Sequence, residues 1–517
     1  MRLVSLLLIL IPFLGRGQNA APVVDITGAS IDIVAGTVTI TYDLGDAEND
    51  LCHVRIQAST DAGFSFMAAT ELATGSLGTG ITPANGLSIT WPYAGIVDIQ
   101  SVIIRVSADD GHTPDIQAMV DQVLEATMAS RLANLAIPRH YQAAPAGLAQ
   151  VRDSIWQQFS SAGLQTVATP VPYNGSFSDN VMGRQPGSID EARTFTVDAH
   201  YDAVANVPGA DDNATGVVAT LEIARILSQY HFKNSIRYIG FAFEEQGLIG
   251  SEFHVQGNFP VWELHEGTLN LEMVGYYSNE PGSQTIPAGF DILFPEATAA
   301  IAADEYRGNF LTVVGNTNSQ ALINTYSNAC DQYVPTLRHI TLEVPGNGQI
   351  APDLRRSDHA SFWDNGIQAL MLTDGSNFRN ANYHTPNDIV ATIDIPFLTQ
   401  NTKATLATAA VLAEPVNLGA DQFDLANAVG LAETGLVRTM VVYPVPADDV
   451  LHIKVEHVQQ AVFGLFDLSG RPTVPEQLLQ AGKDGTFNYS VSNVEPGLYI
   501  LRMSNQGATT AVKVEVR

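Results

Sequence analysis

Cysteine is almost absent: the chain has 517 residues and two cysteines, Cys52 and Cys330, far apart in sequence. No disulfide framework can be built from them, and no thiolate zinc cage, so any metal must be held by His, Asp and Glu. Cys52, on an apolar strand pattern, reads as a small buried residue. Basic residues are also scarce. Against 25 Lys plus Arg stand 54 Asp plus Glu, a formal net charge of −29. Such a chain repels nucleic acid and anionic membrane surfaces, and suits solubility outside the cell. Long apolar runs are missing after the first residues. Nothing beyond the amino terminus reaches the roughly 18 apolar residues that suggest a membrane span. Internal repeats and low-complexity tracts are missing too.

The amino terminus is the exception. Arg2 gives a short positive start, residues 3–14 are almost wholly apolar, and Gly15 and Gly17 follow. That reads as a secretory signal peptide over residues 1–17, too short for a comfortable span. The rest exceeds the roughly 250–300 residues at which one hydrophobic core stops growing, so several domains are expected. Residues 18–112 read as a small β-sandwich of the immunoglobulin or fibronectin kind, with alternating strands such as Val38-Thr-Ile-Thr-Tyr42. His53 and His112 there read as structural or surface residues. Residues 113–415 alternate helical segments, such as 148–159 and 217–227, with short apolar runs. That predicts an α/β fold, a mostly parallel sheet with helices on both faces. Residues 416–440 have weak periodicity and read as a linker. Residues 441–517 read as a second all-β sandwich.

Chemistry gathers in the α/β region. Thr194-Phe-Thr-Val-Asp-Ala-His200 is an apolar strand ending at His200, with Asp202 two residues on. A second strand, 236–243, runs into Glu244 and Glu245. Leu269-Asn-Leu-Glu272 ends in a carboxylate. Gln368-Ala-Leu-Met-Leu-Thr-Asp374 leads to a loop with Tyr383 and His384. The loop around Asp212 opens a helix, and Asp212 or Asn213 could partly cap it. In open α/β sheets the ligand crevice lies beyond the carboxyl ends of the strands, so these residues are expected to converge. Imidazole and carboxylate donors without thiolates suit a catalytic zinc site. Alone, a His-x-Asp pair is ordinarily a surface hydrogen bond and two adjacent glutamates a solvated face. The whole ordered set is hard to explain by folding needs alone.

The motifs Ala199-His-Tyr-Asp-Ala203, Gly209-Ala-Asp-Asp-Asn-Ala-Thr-Gly216, Phe243-Glu-Glu-Gln-Gly247, Asn270-Leu-Glu-Met-Val274 and Tyr383-His-Thr-Pro386 resemble the co-catalytic zinc aminopeptidases, metallopeptidase family twenty-eight. The resemblance implies two zinc ions bridged by Asp212. His200 and Glu272 would complete one ion, and Glu245 and His384 the other. It implies Glu244 as general base, Asp202 as the carboxylate orienting the ligating histidine, and Tyr383 as a donor to the developing oxyanion. Many members carry Asp where this chain has Glu272, whose longer arm can bind through one oxygen or shift that ion. Ser357-Asp-His359 also resembles a segment near the family's site, with Asp358 and His359 behind the ligands or on the substrate side. The implied substrates are peptides with a free amino terminus. Two alternatives share the fold: a glutaminyl cyclase-like acyltransferase, typically with a single zinc, and an inactive surface-displayed binding scaffold.

In the last domain, Val442-Tyr-Pro-Val-Pro-Ala-Asp-Asp-Val450, Asp467-Leu-Ser-Gly-Arg471 and Glu495-Pro-Gly-Leu-Tyr-Ile500 resemble the carboxyl-terminal sorting domain of the type nine secretion system. Val445 stands where the usual pattern has Asn. The resemblance implies the outer-membrane secretion machinery as partner, with release or surface anchoring afterwards.

Overall fold

The computed structural model describes residues 19–517 except 33–34, 64, 94–95, 97–98, 258, 260–261, 429–439, 456–457, 468–471, 483–484 and 506–507. The signal-peptide segment 1–17, much of the 416–440 segment and most of the Asp467–Arg471 motif therefore lie outside the described residues. The chain forms two compact units, one holding residues up to 28 and 40–427 and the other residues 428–517, with 29–39 assigned to the second.

An eight-stranded sheet organises the first unit. Its strands are β1 (Gln165–Tyr173), β2 (Ser176–Gln185), β3 (Asp190–His200), β4 (Asn234–Phe241), β5 (Leu264–Leu271), β6 (Leu311–Asn316), β7 (His339–Val344) and β8 (Ala369–Thr373), in the spatial order β7-β6-β8-β5-β3-β4-β2-β1. The central four, β8, β5, β3 and β4, run parallel. The β1–β2 hairpin joins antiparallel at one side, and β6 pairs antiparallel with β8 at the other. Central strands are buried along their whole length, as in β4 and β8. Such strands must be apolar on both faces, because helices cover both.

The period-two alternation of a strand sorts these residues between two cores. Ile236 and Tyr238 of β4 enter one cluster, and Ile239 and Phe241 the other. Helix Pro145–Ser161 gives the first core Leu148, Val151, Ile155 and Phe159, a stripe at helical spacing. Helix Ile395–Ala413 is buried on nearly all sides and rich in Ala and Thr, which lets it pack closely against helices Gln320–Tyr333 and Gly216–Leu227. The second core is capped by Phe362 and Trp363 from helix His359–Asp364.

The same unit carries an all-β portion. Strand Thr37–Gly45 alternates buried and half-buried residues, as a strand with one apolar face should. In a separate sheet, Ile103–Asp109 lies between Cys52–Ser59 and Leu418–Asp424. This corrects the linker reading for residues 418–424. Residues 418–424 alternate too weakly in hydrophobicity to announce a strand, yet they pair along the full length of Ile103–Asp109. Both cysteines are buried and free.

In the second unit a three-stranded and a four-stranded sheet enclose one apolar core, with Leu451, Ile453, Phe463, Leu465, Phe487 and Leu501 at its centre. Among the described residues no helix is long and apolar enough to cross a membrane.

Candidate metal centre

Because β3, β4, β5 and β8 are parallel, their carboxyl ends open on one edge, and the polar residues that follow them meet there. His200 ends β3 opposite Phe241, the end of β4. Glu244 and Glu245 follow β4, and Glu272 follows β5 with its amide bonded to the Leu372 carbonyl of β8. Asp212 comes from the irregular turn Ala210–Thr215 ahead of helix Gly216–Leu227. Neither Asp212 nor Asn213 caps that helix. Asn213 donates to the Leu271 carbonyl and accepts from the Met273 amide, tying the turn to the end of β5.

Asp212 stands between two histidines. Its Oδ1 lies 3.5 Å from His200 Nε2, and its Oδ2 lies 3.1 Å from His384 Nε2. Glu272 Oε2 is 3.3 Å from His200 Nε2, and Glu245 Oε2 is 3.2 Å from His384 Nε2. Two donor groups result: His200, Glu244 and Glu272 in one, Asp212, Glu245 and His384 in the other. One oxygen of Asp212 faces each histidine, the arrangement a bridging carboxylate requires.

The donor set fits divalent cations on a test internal to the fold. Both ring nitrogens of His200 are buried and have no hydrogen-bond partner. An orphaned buried imidazole is costly unless something takes its lone pair or proton. Charge points the same way. Six carboxyl groups, of Asp202, Asp212, Glu244, Glu245, Glu272 and Asp358, surround two imidazoles. Burial drives the Glu244 carboxyl well above its ordinary range; His200 opposes this, while Glu272 and Asp358 add to it. Burial and Asp212 push Glu245 up to about 7. For Asp212, burial is overcome by the two histidines on either side, His200 and His384, which hold its carboxyl well below the usual range. For His384, burial is overcome by Asp212 and Glu245, and its imidazole rises to about 10. Without metal, protons must hold this cluster together. Divalent cations supply the same charge without protons.

A second layer fixes the donors. Asp202 lies 3.6 Å from His200 Nδ1, and its two oxygens accept the backbone amides of Glu244 and Glu245. One carboxylate thus orients a histidine and anchors the Glu-Glu pair. Ser357 donates to Glu272 Oε2 at 2.8 Å. Asp358 is buried, its carboxyl raised to about 7 by burial despite the nearby His200. His359 is not brought into the cluster. It begins helix His359–Asp364, and the helix turns its ring away, onto the Leu354 carbonyl at 2.9 Å and the face of Trp363. Its placement behind the ligands is therefore corrected. Burial lowers its imidazole to about 4.

Several supporting residues carry no signal that the sequence reading used. Asp388 accepts the amides of Asp211 and Asp212, so it sets the turn that aims the bridging carboxylate. An acid four residues beyond His384 was the available clue. Arg139 is wholly buried, and its guanidinium donates to the carbonyls of Ile137, Tyr201, Pro208, Gly209 and Asp212. It staples the loop after β3 to the Asp212 turn. Gly209 has φ of 60°, and a Cβ there would stand 2.3 Å from the Asp212 carbonyl and 2.9 Å from Arg139 Nη2. The turn can close on the arginine only with glycine at that position.

Beside the donors opens a pocket with Glu272 and Tyr383 in its wall. Much of its lining is apolar, including Ile286, Phe290, Phe310, Met371 and Phe378. The Tyr383 ring stacks on His384, 3.8 Å between centroids and 17° from parallel.

Comparison with known proteins bears on the family. Residues 180–409 match peptidase family M28, and residues 441–517 match the secretion system C-terminal sorting domain. The uncharacterized protein YfbL of Escherichia coli (strain K12) is 31% identical over 249 residues, 45% of this chain and 71% of that protein. A probable zinc metalloprotease of Pyrenophora teres f. teres is 27% identical over 281 residues, 48% of this chain and 54% of that one. Aminopeptidase YwaD of Bacillus subtilis (strain 168) is 39% identical over 106 residues, 20% of this chain and 23% of that one. The chain thus spans about half of the Pyrenophora protein and less than a quarter of YwaD. The sorting domain marks the chain as secreted or displayed at the cell surface. With YfbL covered over most of its length and the donor set lying within the matched segment, this chain belongs to peptidase family M28.

Proposed function

We propose that the chain is a zinc aminopeptidase working with two ions, held by His200, Glu272 and Asp212 on one side and by Asp212, Glu245 and His384 on the other. The observation that carries this reading is Asp212, with one oxygen toward each histidine. Zinc bound there would supply Lewis acidity, making a nearby water more acidic and balancing charge on the scissile carbonyl oxygen. The remaining chemistry belongs to the chain.

Glu244 takes the proton of the attacking water on its carboxylate as the water oxygen bonds to the carbonyl carbon. It delivers that proton to the amine as the C–N bond breaks. Its raised affinity for a proton suits a base that must hold and return one. Tyr383 donates a hydrogen bond to the developing oxyanion. The apolar cavity beside Glu272 and Tyr383 receives the side chain of the amino-terminal residue, which favours large apolar residues there. Glu244 also stands 3.8 Å from His200 Nε2, close enough to compete as a ligand. The two roles separate experimentally.

The test is release of the amino-terminal residue from a panel of unblocked peptides, with Glu244→Ala in parallel and bound zinc measured in both. Release by the native chain, lost in a variant that keeps its zinc, supports Glu244 as base. Loss of zinc together with activity makes Glu244 a ligand. No release from any free-amine peptide would sink the aminopeptidase reading and turn attention to the cyclase and the inactive scaffold.

A further inference from the structure

The segment just before helix His359–Asp364 sends three side chains toward the site. Ser357 reaches Glu272 and Asp358 lies near His200. Arg356 reaches Tyr383: its Nη2 donates to the phenolic oxygen at 2.8 Å. The guanidinium is steadied on its other side by the Asn377 side-chain oxygen at 2.9 Å and by Asp353 at 3.6 Å. Its carbon sits 5.6 Å from the centroid of the Tyr383 ring. The ring itself is stacked on His384.

A phenol has one proton to give and lone pairs to receive. Arginine can only donate, so the Arg356 bond fills a lone pair and leaves the Tyr383 proton uncommitted. Among the described residues, no hydrogen bond from the phenol to a protein acceptor is formed. Arg356 and Tyr383 line the same cavity as Glu272, so that proton is available on the substrate side. A positive donor on the oxygen also strengthens the O–H as a donor, because hydrogen bonds in series polarise one another.

We propose that Arg356 is a positioning residue for the reaction: through Tyr383 it aims and strengthens the hydrogen bond that the oxyanion receives. This rests on the reading of Tyr383 given above. Arg356 lines the cavity, but its side-chain bond goes to Tyr383, so what it does through Tyr383 falls on the transition state and appears in kcat rather than KM.

A double-mutant cycle of Arg356→Ala and Tyr383→Phe tests this, with Arg356→Lys as the conservative variant. Two quantities are read: kcat and KM on an unblocked leucyl peptide, and calorimetric affinity for the phosphonic acid analogue of leucine, a tetrahedral anion. Bound zinc is measured for every variant. Arg356→Ala is expected to lower kcat by about tenfold, less than the roughly hundredfold or more that loss of a whole oxyanion donor costs. KM and zinc content should stay unchanged, and analogue affinity should fall with kcat. In the Tyr383→Phe background the arginine change should add almost nothing, and Arg356→Lys should recover part of the loss. Additive losses, a rise in KM at constant kcat, or no effect of Arg356→Ala would each overturn the proposal while leaving the peptidase reading in place. A native chain that neither cleaves the peptide nor binds the analogue would sink the peptidase reading, and this proposal with it.

Discussion

The carboxyl edge of the central sheet and the core of the carboxyl-terminal sandwich are built from opposite materials. Among the described residues of 441–517, no Asp, Glu, His, Lys, Arg, Ser, Thr, Asn or Gln is buried. The core there is Leu, Ile, Val and aromatic rings. At the sheet edge, within a few strands, Asp198, His200, Asp202, Asp211, Asp212, Asp358 and Asp374 are all buried. Burying a charge costs several kcal/mol unless it is paired or ligated. The core of the sandwich avoids that cost altogether. The sheet edge accepts it many times over in one place, which separates a site selected for chemistry from a core selected for stability.

The sharpest way to break this contrast is to remove one charge from the edge without changing its size. Asp212→Asn keeps the shape but gives up the carboxylate shared by both donor groups. Peptide hydrolysis should fall to the uncatalysed background and bound zinc should drop at both positions. Metal analysis of the dialysed protein checks the second point. A variant retaining two zinc ions and measurable turnover would refute the bridging role. The matched change in the sandwich is Phe463→Ala, at a fully buried ring packed on Phe487. It should cost about 3–5 kcal/mol in the unfolding of that unit. In calorimetry only the sandwich transition should shift, with kcat/KM unaltered. A parallel loss of turnover would mean that the two regions do not have separate tasks.

The same contrast explains what was readable from sequence. His200, Glu245, Glu272 and His384 each close an apolar strand or lead its loop, so strand periodicity pointed to them. Parallel direction followed from alternation of strand and helix. The direction of β6 did not, since its residues are apolar whichever way they run. Arg139 was invisible for a different reason: it binds only carbonyl oxygens, which every residue has, so no side-chain pattern marks its partners. Arg356 stands next to a recognisable motif but outside it, and only the fold places it on Tyr383. His359 stood inside a recognisable motif, but the phase of the helix it begins turned it toward Trp363. Side chains that work through backbone groups, or through a helix phase fixed elsewhere, escape a reading based on residue type and spacing.

Removing the metal offers a smaller and graded test. In the metal-free fold, burial raises Glu245, Asp358 and Asp388 to about 7, from ordinary values of 4.5, 3.8 and 3.8. The folded state then holds protons that the unfolded chain releases, so stability falls as pH climbs through that window. His384 acts in the same direction. Its imidazole is raised to about 10, and its contribution is complete below 6.5 and lost as pH rises toward 10. The lowered Asp212 opposes only below the ordinary carboxylate range, and His359, lowered from 6.5 to about 4, opposes between those values in loaded and chelated protein alike, so it cancels between the two. Zinc displaces the protons on its own ligands, Glu245 and His384, and removes their share of the slope. At a thousandfold excess over its dissociation constant it adds about 4 kcal/mol. The gap in Tm between zinc-loaded and chelated protein should therefore widen from about pH 5 to about pH 8. A constant or narrowing gap would show that the edge is not held together by protons when metal is removed.

The smallest effect should come from Ser357, which touches no metal in the proposed arrangement but donates to Glu272 Oε2. That oxygen faces His200 Nε2 at 3.3 Å and is also 3.4 Å from Asn213 Nδ2. Glu272 has one more methylene than the aspartate common at this place in the family, so its carboxylate needs more help to stay on the His200 side. Ser357→Ala removes one of two donors and leaves the fold otherwise intact. Loss of such an outer partner typically costs about 10–100-fold in metal affinity. The loss should fall on one ion only, so a zinc titration of the variant should separate into a tight step at the His384 group and a weakened step at the His200 group. Equal weakening of both steps would mean that Ser357 acts on the whole cluster. A single unresolved step at native affinity would mean that the Glu272 arm holds itself.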